Sequence, residues 1–193
     1  MMYTEEYYTT KNYKGYLNKE SRYKKTAQEI SKLLTDLRLL SNTSKVLDFG
    51  CAVGFLTKAL SDLGYSTFGY DISAWAIKEA KKNNVNVVKD YEGHYDVVFA
   101  LDVLEHMVDT EIEELFNKCK SKVYVLRIPC AENDGNDFYL EVSRNDPTHI
   151  NCKTREDWIS YINILTNGNI LFLDTYTIYD SPGVLCCLVI TSD

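Results

Sequence analysis

Proline is scarce, at 3 of 193 residues, and glycine numbers only 9. Values this low, with no tripeptide period, exclude a collagen-like or linker-dominated chain. No apolar run approaches the roughly 20 residues that span a bilayer. The longest, such as Leu185 to Ile190, are strand-sized. The opening stretch, MMYTEEYYTT, has neither a basic nor an apolar region, so no signal peptide is expected. A basic excess is also missing. The net charge is -7, which argues against broad nucleic-acid binding. Residues 1–40 carry 8 Lys or Arg against 5 acids, a bias read as a solvated helix face. Cysteines occur at 51, 119, 130, 152, 186 and 187, but no Cys-x-x-Cys pair and no zinc-like Cys–His spacing is present. Reduced, buried thiols in a cytoplasmic protein are therefore expected.

Hydrophobic residues make up 45% and charged residues 25% of the chain, an ordinary globular composition. The length suits a single domain. Residues 1–40 read as a Tyr-rich N-terminal segment followed by a helix, and 41–193 as an α/β core. The helix is expected over about 19–40, where Tyr23, Ala27, Ile30, Leu33, Leu34, Leu37 and Leu40 recur at three- and four-residue spacing. Strands are then expected at 45–49, 65–70, 86–89, 95–101 and 122–128. Helices fall between them, with Ser73 and Thr154 as N-caps and Gly64 as a C′ residue. A closing pair of strands, about 169–179 and 184–191, is joined by Asp180-Ser181-Pro182-Gly183. Strands alternating with helices imply a parallel sheet with right-handed crossovers. Ligands of such sheets bind outside the carboxyl ends of the strands.

The first strand runs into Leu47-Asp48-Phe49-Gly50-Cys51-Ala52-Val53-Gly54. The glycines permit a tight turn and let a ligand approach the backbone, and the following helix presents free N–H groups. Asp48 speaks for a cationic ligand and against a pyrophosphate. The second strand ends at Asp71, where a carboxylate can accept two ribose hydroxyls. Asp90 and Tyr91 follow the third strand, an acid for an adenine amino group and a ring to stack on the base. The fourth ends in Leu101-Asp102-Val103-Leu104-Glu105-His106.

Taken together, LDFGCAVGFL, GYDIS and VVFALDVLEHM resemble the successive motifs of class I S-adenosylmethionine-dependent methyltransferases. The likeness covers about 45–128. The last motif, with DPTHI at 146–150, is similar to the small-molecule branch that includes ubiquinone-biosynthesis O-methyltransferases. Ala52 departs from the glycine found in many members. The resemblance implies a Rossmann-like seven-stranded sheet of order 3-2-1-4-5-7-6 with strand 7 antiparallel and helices on both faces. It implies S-adenosyl-L-methionine as cofactor. Asp48 would lie near the methionine amino group, and Gly50, Cys51, Ala52 and Gly54 under the methionyl and ribose portions. Asp71 with Ile72 would hold the ribose, Asp90 and Tyr91 the adenine, and Leu101 and Asp102 would flank the methionine moiety. Tyr13, Tyr16 or Arg22 would contact its carboxylate from the N-terminal segment.

The expected activity is methyl transfer to a small polar acceptor, most readily at oxygen. A hydroxyl nucleophile needs its proton removed, and two of three histidines stand at the ligand end of the sheet. His149 is preferred over His106 as the base, because the stretch 131–150 is where an acceptor pocket would form. Asp102 to Glu105 has no further ligands nearby in sequence, so no metal site is expected. N-methylation, a non-catalytic S-adenosylmethionine-binding partner subunit, a nicotinamide enzyme and a nucleic-acid methyltransferase are the other readings. The last lacks the Asn/Asp-Pro-Pro-aromatic motif after the fourth strand. A monomer or homodimer with no membrane partner is expected.

Overall fold

The computed structural model describes residues 3–10, 13–132 and 135–191. The chain divides into two compact units. The first comprises residues 1–91 and 95–99, and the second 92–94 and 100–193.

The first unit opens with a short helix α1 (Glu5–Thr9), a 3-10 turn (Tyr16–Asn18) and α2 (Glu20–Asp36). The apolar stripe of α2 buries Ala27, Ile30 and Leu34 completely, as helical spacing requires. Strand β1 (Lys45–Phe49) leads through the glycine turn into α3 (Phe55–Asp62), and β2 (Ser66–Tyr70) into α4 (Ala74–Lys82). β1 pairs in parallel with β2 and with the Val97–Phe99 part of β3 (Gly93–Leu101). Val46 and Leu47 are fully buried in β1, as a strand covered on both faces demands. Ser73 caps α4 by accepting Ala76 N–H at 3.1 Å. Gly64, at φ 96°, follows α3 in the left-handed conformation expected of a C′ residue.

The second unit holds a 3-10 turn (Leu104–His106), α5 (Asp109–Lys118), β4 (Cys119–Pro129), α6 (Glu141–Arg144), α7 (Arg155–Thr166), β5 (Asn169–Phe172) and β6 (Val184–Ile190). β6 is antiparallel to both β4 and β5. Thr154 caps α7 through Asp157 N–H at 3.1 Å, and Asn167 ends it at φ 49°. The core of this unit includes Trp158, Ile162, Leu126 and Ile128.

The strands follow the order β2-β1-β3-β4-β6-β5. The α/β class and the antiparallel β6 agree with expectation, but the sheet has six strands rather than seven. The expected third strand at 86–89 is reduced to a bridge between Gly69 and Val87. Gly69 N–H donates to Asn86 O and Val88 N–H to Gly69 O, both at 2.9 Å. Two bonds do not make a ladder, and the left-handed Asn84 just before it turns the chain away from extension. The closing strands are also shorter than expected. β5 stops at Phe172, and 173–183 form a longer connection with bridges at Asp174–Tyr179 and Ser181–Val184. All six cysteines are free thiols, five of them buried. Among the described residues no helix is long and apolar enough to cross a membrane.

Candidate active site

In the first unit the turn after β1 is set by three left-handed residues, Gly50 (φ 76°), Ala52 (φ 48°) and Gly54 (φ 81°). Gly50 and Cys51 N–H both donate to Tyr70 O, at 2.8 and 2.9 Å, and Gly54 N–H donates to Cys51 O at 2.8 Å. The turn is thus tied to the end of β2. Ala52 carries a Cβ in a left-handed conformation that favours glycine, the residue the resemblance places here in many members.

Asp71 is the second tie. Its Oδ2 accepts Ala52 N–H at 2.8 Å and its Oδ1 accepts Ser73 N–H at 2.7 Å. Burial raises its carboxyl above the usual range, against the pull of these backbone bonds. A carboxylate has about four acceptor positions, so each oxygen keeps capacity for a hydroxyl donor. Ile72, beside it, is 70% exposed. Asp90 is exposed, while the Tyr91 ring meets Phe49 and Tyr70 edge-on at 5.0 and 4.9 Å. Phe49 and Tyr70 thus join Tyr91 in an aromatic trio, and neither had a sequence signal beyond strand hydrophobicity.

Asp48 lies near the carboxyl end of β1. It is 5% exposed, and its Oδ2 accepts both Thr57 Oγ1–H at 2.6 Å and Thr57 N–H at 3.1 Å. Its carboxylate therefore holds the first turn of α3 to β1. Burial pushes its pKa up to about 6, against the two Thr57 bonds and with help from Asp71. Tyr16 also serves packing. It is 7% exposed and lies among Tyr8, Tyr13, Tyr23 and Phe55. Arg22 is exposed on α2. The tyrosines of the N-terminal segment form one cluster with Ala52, Val53 and Ala76. Tyr8 stacks on Trp75 at 5.3 Å, and Ser73 Oγ–H donates to Tyr3 O at 2.6 Å. Tyr8 and Trp75, next to the Asp71 turn, were missed because tyrosine-rich sequence does not reveal its partner.

In the second unit Asp102, at φ 57°, follows the half-buried Leu101. Asp102 N–H donates to Arg127 O at 2.7 Å and its carboxylate pairs with the Arg127 guanidinium. Asp102 raises the guanidinium pKa further. Glu105 is fully buried, and neither of its oxygens has a hydrogen-bond partner. His106 Nδ1 lies 2.9 Å from Thr148 Oγ1 and 3.1 Å from Thr148 O. Thr148 O only accepts, so Nδ1 carries the hydrogen and Nε2 the lone pair. The Thr148 hydroxyl in turn donates to Asp146 Oδ1 at 2.6 Å. Burial and His149 bring the His106 pKa down to about 4. Burial also lowers that of His149, against Asp146 and Asp102. The two imidazoles lie 4.6 Å apart, centre to centre.

The sequence expectation of no metal constellation near Asp102–Glu105 is revised here. Ligand atoms of Glu105, His106 and His149 all lie within 4.8 Å of one another. The sequence hides the group because His149 lies far along the chain, and Ile150 and Asn151 N–H bonds to Glu105 O, 2.9 and 3.0 Å, bring it back.

Residues 19–162 match a methyltransferase domain family, and the chain belongs to it, within the class I S-adenosylmethionine-dependent methyltransferases. A curated relative is the ubiquinone biosynthesis O-methyltransferase of Thiobacillus denitrificans, 35% identical over 79 residues, covering 34% of each protein. The match thus spans about a third of that relative. Among solved structures, a SAM-dependent methyltransferase from Archaeoglobus fulgidus superposes with a TM-score of 0.63 at 19% identity, over 91% of this chain and 99% of that one. Magnesium protoporphyrin IX methyltransferase from Synechocystis, solved with bound SAM, reaches 0.61 at 20% identity, over 89% and 81%. At these identities the likeness is one of fold.

Proposed function

We propose that the chain transfers a methyl group from S-adenosylmethionine to a hydroxyl of a small polar acceptor. The observation that carries this reading is Asp71, a carboxylate tied to the glycine turn by Ala52 N–H and keeping acceptor capacity beside exposed Ile72. That donor and acceptor set suits ribose hydroxyls, and the cofactor fits it chemically. The cofactor supplies a methyl group already activated by its sulfonium charge.

The residues have separate tasks. Asp71 accepts the ribose hydroxyls. Ile72 lies beside Asp71 on the ribose side, and Asp90 and Tyr91 receive the adenine, with Phe49 and Tyr70 bracing the Tyr91 ring. The Gly50, Cys51, Ala52 and Gly54 backbone lies along the methionyl and ribose portions. Asp48 acts by fixing α3 to β1 and by its charge. Leu101 and Asp102 flank the methionine moiety, and Arg127 holds the Asp102 carboxylate in place. Tyr16 shapes the tyrosine cluster of the N-terminal segment, while Arg22 is the residue placed for the methionine carboxylate. His149, assisted by His106, takes the proton of the acceptor hydroxyl. Both are neutral at pH 7, since burial lowers their pKa values, so each has a lone pair to offer. Positioning of the two reactants supplies roughly 7–11 kcal/mol, and a placed base adds about 10²–10⁴-fold.

Calorimetry with S-adenosylmethionine tests the cofactor part. Saturable binding is expected, weakened at least tenfold in Asp71→Ala (about 1.4 kcal/mol). Binding untouched by that change overturns the assignment. A panel of phenols, alcohols and amines, read by mass spectrometry, tests the acceptor part. Methylated oxygens are expected, and products at nitrogen alone would replace the O-methyl reading with an N-methyl one.

A further inference from the structure

Glu105 is the least explained residue of the molecule. Its side chain has no exposure, and both carboxylate oxygens lack a hydrogen-bond partner. A buried carboxylate in that state costs several kcal/mol unless a positive charge meets it. Arg127, Asp102 and Asp146 all act on it electrostatically without bonding to it, and the two side chains nearest its Oε1 are imidazoles. His106 Nε2 and His149 Nε2 each lie 3.9 Å from Glu105 Oε1. Those distances are too long for hydrogen bonds and leave room for an ion between them.

The geometry points to a divalent transition-metal site built from Glu105, His106 and His149. Ligands about 2.1 Å from a common zinc-like ion stand roughly 3–3.5 Å apart, so small side-chain rotations close the observed spread. Two imidazoles and one carboxylate, with no thiolate, favour zinc, manganese, iron or cobalt over calcium or magnesium. His106 has the outer contact a ligating histidine needs, whereas His149 Nδ1 has no hydrogen-bond partner. Thr148 fixes the His106 tautomer that keeps the lone pair on Nε2, and Asp146 orients Thr148. Asp146 Oδ2 also stands 3.8 Å from His149 Nε2. Asn151 Nδ2–H donates to Met107 O and Asp109 Oδ1, at 2.9 and 2.8 Å, which steadies the neighbouring segment.

Three protein ligands leave coordination positions open for oxygen. Resting on the methyl-transfer reading above, the acceptor is then a compound that offers a hydroxyl oxygen to the ion. The hydroxyl proton passes to water. The oxygen forms the new bond to the methyl carbon, and the electron pair of the broken carbon–sulfur bond stays on sulfur. With an ion bound, His149 Nε2 is a ligand and the ion lowers the pKa of the hydroxyl it binds; with none bound, His149 keeps the role of base given above.

The test uses the full chain stripped with a chelator. Mn²⁺ is titrated by electron paramagnetic resonance and Zn²⁺ by calorimetry. One saturable site per chain is expected, with thermal stabilisation on saturation. Glu105→Gln and His149→Ala weaken ion binding at least tenfold, while His94→Ala, an exposed histidine elsewhere, leaves it unchanged. If Glu105→Gln fails to fold by circular dichroism, His106→Gln serves in its place. Absence of a saturable site in folded protein, or binding indifferent to these ligand changes, overturns the proposal. S-adenosylmethionine titrated into the same stripped protein reports separately on the cofactor reading, so the two can fail independently.

Discussion

Gly54 offers a quantitative probe of the cofactor turn. It sits at φ +81°, and a Cβ built there would lie 2.5 Å from Val85 Cγ2 and 3.1 Å from both Val85 Cβ and Cγ1. Gly54→Ala therefore meets two separate penalties. The left-handed conformation costs an L-residue roughly 1–2 kcal/mol. Forcing a methyl group against Val85, itself 7% exposed, costs about 1–3 kcal/mol. The expected loss is about 2–5 kcal/mol, a large share of the 5–15 kcal/mol typical of a folded protein. With a urea m-value of about 2 kcal/mol/M, the midpoint falls by about 1–2.5 M. Val85→Ala separates the two terms. In the double variant the steric part disappears and the backbone part stays, so the losses couple favourably by about 1–3 kcal/mol. Urea unfolding of all four proteins by circular dichroism measures the cycle. A Gly54→Ala loss under about 0.5 kcal/mol, or strict additivity with Val85→Ala, refutes the account of this turn.

Other expectations concern single contacts. Asp48 has a folded pKa of about 6 against 3.8 when solvated, so the folded state binds its proton more tightly. That contribution is full below about pH 4 and is lost as pH rises through 6, about 3 kcal/mol in all. Asp48→Asn keeps the oxygen that Thr57 needs, so the stability difference between the two proteins, followed by urea titration from pH 4 to 7, shifts in favour of the variant; a flat difference disproves the burial effect. Arg127→Met removes the partner of the Asp102 carboxylate, whose Oδ1 already lacks one. Both side chains keep roughly a quarter to a third of their exposure, so a loss of only about 1–2 kcal/mol is expected in denaturant. Ser73→Ala deletes the cap of α4 and the bond to Tyr3 O. It should cost about 1 kcal/mol and speed amide exchange in residues 3–10, and unchanged exchange there would show that the tyrosine cluster alone holds this segment.

Local chemistry made much of the molecule legible. The three- and four-residue stripe of α2 as far as Leu34, the caps Ser73 and Thr154, and the stops Gly64 and Asn167 act within a few residues and appear as read, whereas α2 ends at Asp36, short of the expected 40, and leaves Leu37 exposed. The alternation of strand and helix, ending in an antiparallel pair, foretold the class of sheet because each connection restricts the topology. The third strand did not form a ladder, since whether 86–89 pairs at length depends on what β2 offers it.

The candidate site divides in the same way. The acids and glycines at the strand ends could be named in advance, because a glycine turn and a carboxylate announce themselves by spacing. Their partners could not. Asp48 turned to Thr57, and Asp71 to Ala52 and Ser73, because burying a carboxylate compels it to find donors, and only packing decides which N–H groups are within reach. Glu105, His106 and His149 come together only when the chain returns after β4 and ties Ile150 and Asn151 to Glu105 O. Sequence thus sets which side chains can carry charge or a lone pair, through their covalent chemistry. Tertiary structure decides which of them share a dry enclosure, because desolvation and proximity exist only once distant segments pack.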